Sequence, residues 1–171
     1  MLPAFAQPAS PEDVAREHFA ALQAEGMGAV VTFMHPDALT EFKSILLPLF
    51  EGEVRQGRRV ARDAMFGPMT LAQLRALDTA EFMRRFVAFT MAQRDDIELS
   101  FDKIEIVGVV PEGGRRHVLA RMTVGANELV SLTQFEVLSF VPFEDTWRLE
   151  LTGELRSIAE SMRSALEEKL R

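Results

Sequence analysis

The chain contains no cysteine, no tyrosine and a single tryptophan, and its acidic residues outnumber its basic ones. Without cysteine it can build no disulfide, no thiolate nucleophile and no Cys-ligated zinc site. A formal charge of −7 argues against binding to a phosphate backbone, because counterion release needs a concentrated Lys/Arg surface, so nucleic acid is not expected as a partner. No apolar run approaches the roughly 18 to 20 residues that cross a bilayer, so no transmembrane segment is expected. The G-x-S-x-G elbow, the phosphate-binding lysine loop and the dinucleotide glycine fingerprint are all missing, which leaves those reactions without local support. What remains is 171 residues of ordinary globular composition, 47% hydrophobic and 26% charged. That is long enough to bury a core without disulfides or a structural metal.

The opening residues 1–9 read in two ways. Ala4-Phe5-Ala6 before Gln7 has the small-x-small pattern of a cleavage site, and an upstream start would complete a signal peptide and send the protein to the periplasm. The alternative is a disordered Pro/Ala arm on a cytoplasmic protein.

From residue 10 onward a single domain to residue 171 is expected, helical over 10–94, stranded over 97–151 and helical again over 153–170. Ser10-Pro11-Glu12-Asp13 combines a capping hydroxyl, an early proline and two acids, a strong helix start. Val14, Ala15, His18, Phe19 and Leu22 follow at helical spacing, and a short second helix is expected through Phe33. A third runs from Leu39 to Phe50. Arg55, Arg58, Arg59 and Arg62 would make one basic stripe if their segment is helical, beside Glu51, Glu53 and Asp63. Thr70 with Gln73, and Asp78 with Glu81, have the spacing of capping boxes. At Asp95-Asp96 the period changes to two, with a phase slip at Asp102-Lys103 that reads as a β-bulge. Turns at residues 111–114, 125–127 and 142–146 then divide four strands. The third strand carries apolar residues on both sides, Val130, Leu132, Leu138 and Phe140 on one and Leu129, Phe135, Val137 and Val141 on the other. Each face of the sheet therefore needs a cover. The N-terminal helices can supply one, and the last helix, capped by Thr152, or a second subunit the other. The fold class expected is α+β: N-terminal helices packed on a curved four-stranded antiparallel meander, with a C-terminal amphipathic helix.

Three passages, "PEDVAREHFAAL", "VVTFMHPDAL" and "DTWRLEL", together with this element order, resemble bacterial members of the nuclear transport factor 2-like superfamily over about residues 11–152. The helical region from Glu51 to Arg94 and the helix after Leu151 depart from its minimal pattern. The resemblance implies a cone-shaped domain whose sheet and helices enclose a pocket, as in ketosteroid isomerases and polyketide cyclases, and dimers packed through the sheet.

The residues themselves limit the chemistry. An isomerase of that type builds its oxyanion hole on a tyrosine, and this chain has none. A cyclase-like site would need one carboxylate base, for which Asp37, Glu41 or Glu136 are the candidates, with His35 beside Asp37 and with Arg121 or His117 as polariser. The histidines His18, His35 and His117 sit in no metal motif, so neither a metal nor another cofactor is expected. His117 and Arg121 share a strand face, and turn register decides whether Gln134 and Glu136 lie across from them. A small hydrophobic ligand would be held by Phe82, Phe86, Phe135 and Trp147, with His117, Arg121 and Gln134 as polar contacts. The leading expectation is a noncatalytic ligand-binding or structural domain, dimeric, with an apolar pocket. The alternatives are an isomerase or cyclase using a carboxylate base, and a protein-interaction module working through the C-terminal helix or the arginine stripe.

Overall fold

The structure is a computed structural model that describes residues 9–93, 99–126 and 130–169. The expected signal remnant or arm lies outside these residues but for residue 9, as do the change of period at Asp95-Asp96 and Asn127 of the turn expected at 125–127, whose first two residues instead extend the second strand. The chain is α+β, with helices on either side in sequence of an antiparallel four-stranded sheet that curls on itself, and a C-terminal helix. It forms two compact units, one of α1 and the sheet, the other of the remaining helices.

In the first unit, helix α1 (Pro11–Glu25) begins as its sequence dictates. Ser10 Oγ accepts from the Asp13 N–H and the Asp13 carboxylate accepts from the Ser10 N–H, both at 3.2 Å, a reciprocal cap on two otherwise orphaned donors. The Val14, Ala15, His18, Phe19 and Leu22 stripe is buried, and α1 packs on strands β1 (Leu99–Glu112), β2 (Arg115–Ala126) and β4 (Thr146–Leu149). Strand β3 (Val130–Phe143) lies between β2 and β4, so strand order follows the sequence. A 3-10 turn, Met27–Phe33, leaves α1.

Side-chain alternation assigns the two sheet faces. Val118, Ala120 and Met122 of β2, Leu138 and Phe140 of β3 and Leu149 of β4 are buried on the face that α1 packs against. The opposite, outer face carries His117, Leu119, Arg121 and Thr123, paired with Ser139, Val137, Phe135 and Thr133. The register of β1 slips between Phe101 and Lys103, at the expected bulge, and again between Ile106 and Gly108. Pro111 stays inside β1, because the reversal is made one step later at Gly113, whose φ of 55° lies in the left-handed region that glycine enters without strain. Strand β1 is therefore longer than the sequence suggests.

The second unit packs α2 (Pro36–Arg55), α3 (Val60–Phe66), α4 (Leu71–Ala76), α5 (Thr79–Ala92) and α6 (Gly153–Lys169) around phenylalanines. Phe42 meets Phe86 edge-on with ring centroids 4.9 Å apart, Phe50 meets Phe66 at 5.4 Å, and Phe66 meets Phe82 at 4.7 Å. Each of these rings is buried, an anchor of roughly 2 to 3 kcal/mol by area alone. Two buried charges tie the cluster's surround together. Glu53 of α2 accepts from the Ala61 and Arg62 N–H groups at 2.8 and 3.0 Å, capping α3 from another helix. Lys43 donates to the Arg75 and Leu77 carbonyls at the end of α4, at 2.8 and 2.5 Å. Burial lowers the Lys43 pKa and the nearby Asp78 charge partly offsets that.

The helix stripe expected of the arginines does not form. Helix α2 ends at Arg55, Gly57 turns the chain with a φ of 68°, and α3 begins only at Val60. Arg62 is buried beside Asp63, while Arg59 pairs with Asp63 at 3.3 Å in the open. Helix α6 is capped by Thr152, whose hydroxyl accepts from the Leu155 N–H. It packs on α2, held there by Arg156 and Glu41 at 2.8 Å.

Candidate functional site

The outer sheet face brings together three of the sequence-predicted residues, His117, Arg121 and Phe135. Large apolar side chains stand open on it: Phe135 is 60% exposed, Val137 55% and Val110 59%. Apolar groups are common on protein surfaces, but three of this size on one sheet face, Val110 on β1 and Phe135 and Val137 on β3 with β2 between, are more than scattered single residues. Polar pairs surround them. Arg121 lies over the Phe135 ring at 5.3 Å and reaches Glu105 of β1 at 3.2 Å. Thr123 and Thr133 join their hydroxyls at 3.0 Å.

His117 bridges two strands at the end of this face. Its Nδ1 lies 2.9 Å from Ser139 Oγ and its Nε2 2.9 Å from Glu112 Oε2. The connectivity is that of a Ser–His–acid triad, but the geometry is not that of a nucleophile site. Ser139 sits in the middle of a regular strand and its carbonyl accepts from the Glu150 N–H, not on the sharp turn that presents a nucleophile beside oxyanion donors. The network ties three consecutive strand ends together.

Gln134 and Glu136 are not brought to this set. Register places Gln134 across from Met122 and Glu136 across from Ala120, on the face of β3 opposite to Phe135. Trp147 pairs with Pro142 at the short fourth strand, its ring under the Arg116 guanidinium at 5.5 Å. Phe82 and Phe86 belong to the other unit, inside its aromatic cluster. His35, Asp37 and Glu41 lie at the start of α2. His35 Nδ1 accepts from the Asp37 N–H at 3.1 Å, the Asp37 carboxylate is 93% exposed, and Glu41 is held by Arg156. A small open cleft of about 210 Å³ is lined by Val54, Arg59, Arg62, Asp63, Met69 and Leu71, among others. It is below the roughly 300 Å³ at which ligand pockets begin. Among the described residues there is no cluster of three or more potential metal ligands, and no helix long and apolar enough to cross a membrane.

The signal that sequence reasoning did not use is the difference in length between β3 and β4. Strand β4 covers β3 only from Phe140 to Phe143, so residues 131–138 of β3 have β2 on one side and no strand on the other among the described residues. All but Glu136 and Leu138 of that stretch are exposed. The hydrogen bond from Glu150 to the Ser139 carbonyl fixes which groups turn that way. Alternation along an antiparallel strand then points the N–H and C=O of Val137, Phe135, Thr133 and Ser131 out of the bare edge.

No family model matches the chain, and no curated protein matches it. Among solved structures the chain is similar to the solution structure of a SEC-C motif containing protein from Rhodopseudomonas palustris, with 14% identity over 84% of this chain and 77% of that chain, at a TM-score of 0.44. A likeness that distant carries no property of that protein over. None of the comparisons supports the resemblance to the nuclear transport factor 2-like superfamily drawn from the sequence, and that resemblance is withdrawn. The passages behind that resemblance are local structure: "VVTFMHPDAL" is a 3-10 turn entering α2, and "DTWRLEL" is a four-residue strand with its flanks. Such pieces recur in many α+β chains.

Proposed function

We propose that this chain is a noncatalytic association domain, whose working surface is the open outer face of the sheet with the bare edge of β3. The observation that carries the reading is the exposure of Phe135, Val137 and Val110 on one face, beside backbone groups left without a strand partner. Both features cost free energy in isolation and are relieved together when another chain covers them. Two of the three candidate carboxylates support the same reading, because Asp37 stands in water and Glu41 is engaged by Arg156, whereas a general base is tuned by burial or by neighbours aimed at substrate.

The test is photo-crosslinking in the source cells with benzoyl-phenylalanine at position 135 or 137, and at position 60 as a control exposed on a helix of the other unit. Discrete adducts from 135 and 137 and none from 60 are expected. No adduct from either sheet position would overturn the reading.

A further inference from the structure

The two long edges of the sheet are built differently. Strand β1 is guarded: two bulges break its register, Lys103 and Glu105 put charges along it, Pro111 removes a donor, and Gln23 of α1 donates to the Phe101 carbonyl at 2.5 Å. These are the devices by which sheets prevent unwanted pairing. Residues 131–138 of β3, Ser-Leu-Thr-Gln-Phe-Glu-Val-Leu, have few of them. They hold no proline, no lysine, no bulge against β2 and one formal charge. An edge left in that state is suited to receive a strand.

We infer that residues 132–138 of this stretch pair antiparallel with the same residues of a second copy of the chain, about a twofold axis at Phe135, so that the two four-stranded sheets become one. The inference rests on the association reading above and names its partner. Backbone parity allows it: the groups directed out of the edge belong to odd-numbered residues, so Phe135 meets Phe135 of the second copy as a hydrogen-bonded pair. Thr133 then meets Val137 on either side, giving about six backbone bonds. Side chains agree with the same register. The outer face gains an aromatic pair flanked by two Thr–Val pairs, which are favourable cross-strand neighbours. The other face sets Glu136 across from Gln134 and Leu138 across from Leu132, so neither acid faces its own copy. A twofold axis moved one residue to Glu136 would put two carboxylates directly opposite. A patch that complements itself under rotation is what an isologous dimer requires.

The experiment is sedimentation of the purified full chain across a concentration series, with Phe135→Lys, Phe135→Glu and an equimolar mixture of the two. Phe135 is exposed, so each variant is checked for native circular dichroism and keeps its fold. The natural chain is expected to dimerise. Each variant alone, placing like charges opposite, is expected to weaken the dimer more than about tenfold, and the mixture to restore a heterodimer. Because the chain has no cysteine, Phe135→Cys adds a second reading: it should form a disulfide-linked dimer on oxidation, and Val110→Cys, equally exposed but on β1, should not. A monomer at every concentration overturns the inference, as does a dimer that the two charge variants leave intact or that their mixture fails to restore. If the purified chain is monomeric but position 135 still crosslinks to a different protein in cells, self-pairing falls and the association reading stands. If position 135 neither dimerises nor crosslinks, both fall.

Discussion

His18 gives the fold a built-in sensitivity to mild acid. The ring lies on the buried stripe of α1, 4% exposed, edge-on to Phe19 at 5.1 Å. Burial drives its pKa down from 6.5 to about 4, since the imidazolium would lose its hydration there. The folded value lies below the unfolded one, so between the two the unfolded chain binds the proton in preference. The contribution is present above pH 6.5 and is lost as the pH falls towards 4. At about 1.4 kcal/mol per unit, the loss comes to about 2 kcal/mol by pH 5 and about 3 kcal/mol by pH 4. Against the 5 to 15 kcal/mol typical of a domain, that is a large share. The assay is urea unfolding of the natural chain and of His18→Leu at pH 7, 6 and 5. The upper end of that range separates the effect from Asp13, whose pKa is lowered by its hydrogen bonds to Ser10, so that its contribution is lost only as the pH falls through the carboxylate range below 3.8. Leucine changes the packing, but that change is common to all three pH values and cancels in the difference. The natural chain should lose about 2 kcal/mol more than the variant between pH 7 and pH 5. Equal losses in the two proteins would refute the argument.

Three further substitutions test the helical unit, each read by chemical or thermal unfolding. Glu53→Gln keeps one acceptor for two N–H donors and should cost about 1 to 2 kcal/mol; no change would mean that water caps α3 equally well. Lys43→Met leaves the Arg75 and Leu77 carbonyls without their donor and should cost about 2 kcal/mol, and a stabilised protein would show that desolvation of the ammonium outweighs its bonds. Phe82→Ala opens a cavity among Phe42, Phe50 and Phe66 and should cost about 3 to 5 kcal/mol, whereas a loss under about 1 kcal/mol would mean the cluster collapses around the gap.

Much of the local structure was legible because its causes are local. Ser10 with Asp13 and Thr70 with Gln73 form the reciprocal caps that their spacing implies, and the slip at Asp102 is a real bulge. Asp78 caps α5 alone, because Glu81 turns to Arg85 at 2.8 Å rather than back to the cap. The break at Gly57 could not be foreseen from the arginine spacing, since it depends on where Glu53, already fixed on α2, can reach the next helix's amides. The position of Glu136 was equally hidden. A one-residue choice in the turn before β3 moves every side chain of the strand to the other face. Apolar residues on both sides of β3 were plain in the sequence, but alternation states only that a face wants cover, not which face receives it. The helix expected to help cover the sheet, α6, packs on α2, and the outer face stays open.

The most direct test of the proposed pairing is residue-resolved amide hydrogen exchange of the full chain at low and high protein concentration. The account predicts that Thr133, Phe135 and Val137 exchange freely when dilute and become protected when concentrated, while Gln134 and Glu136, bonded to β2, are protected throughout. Free exchange of the three odd-numbered amides at every concentration would contradict it.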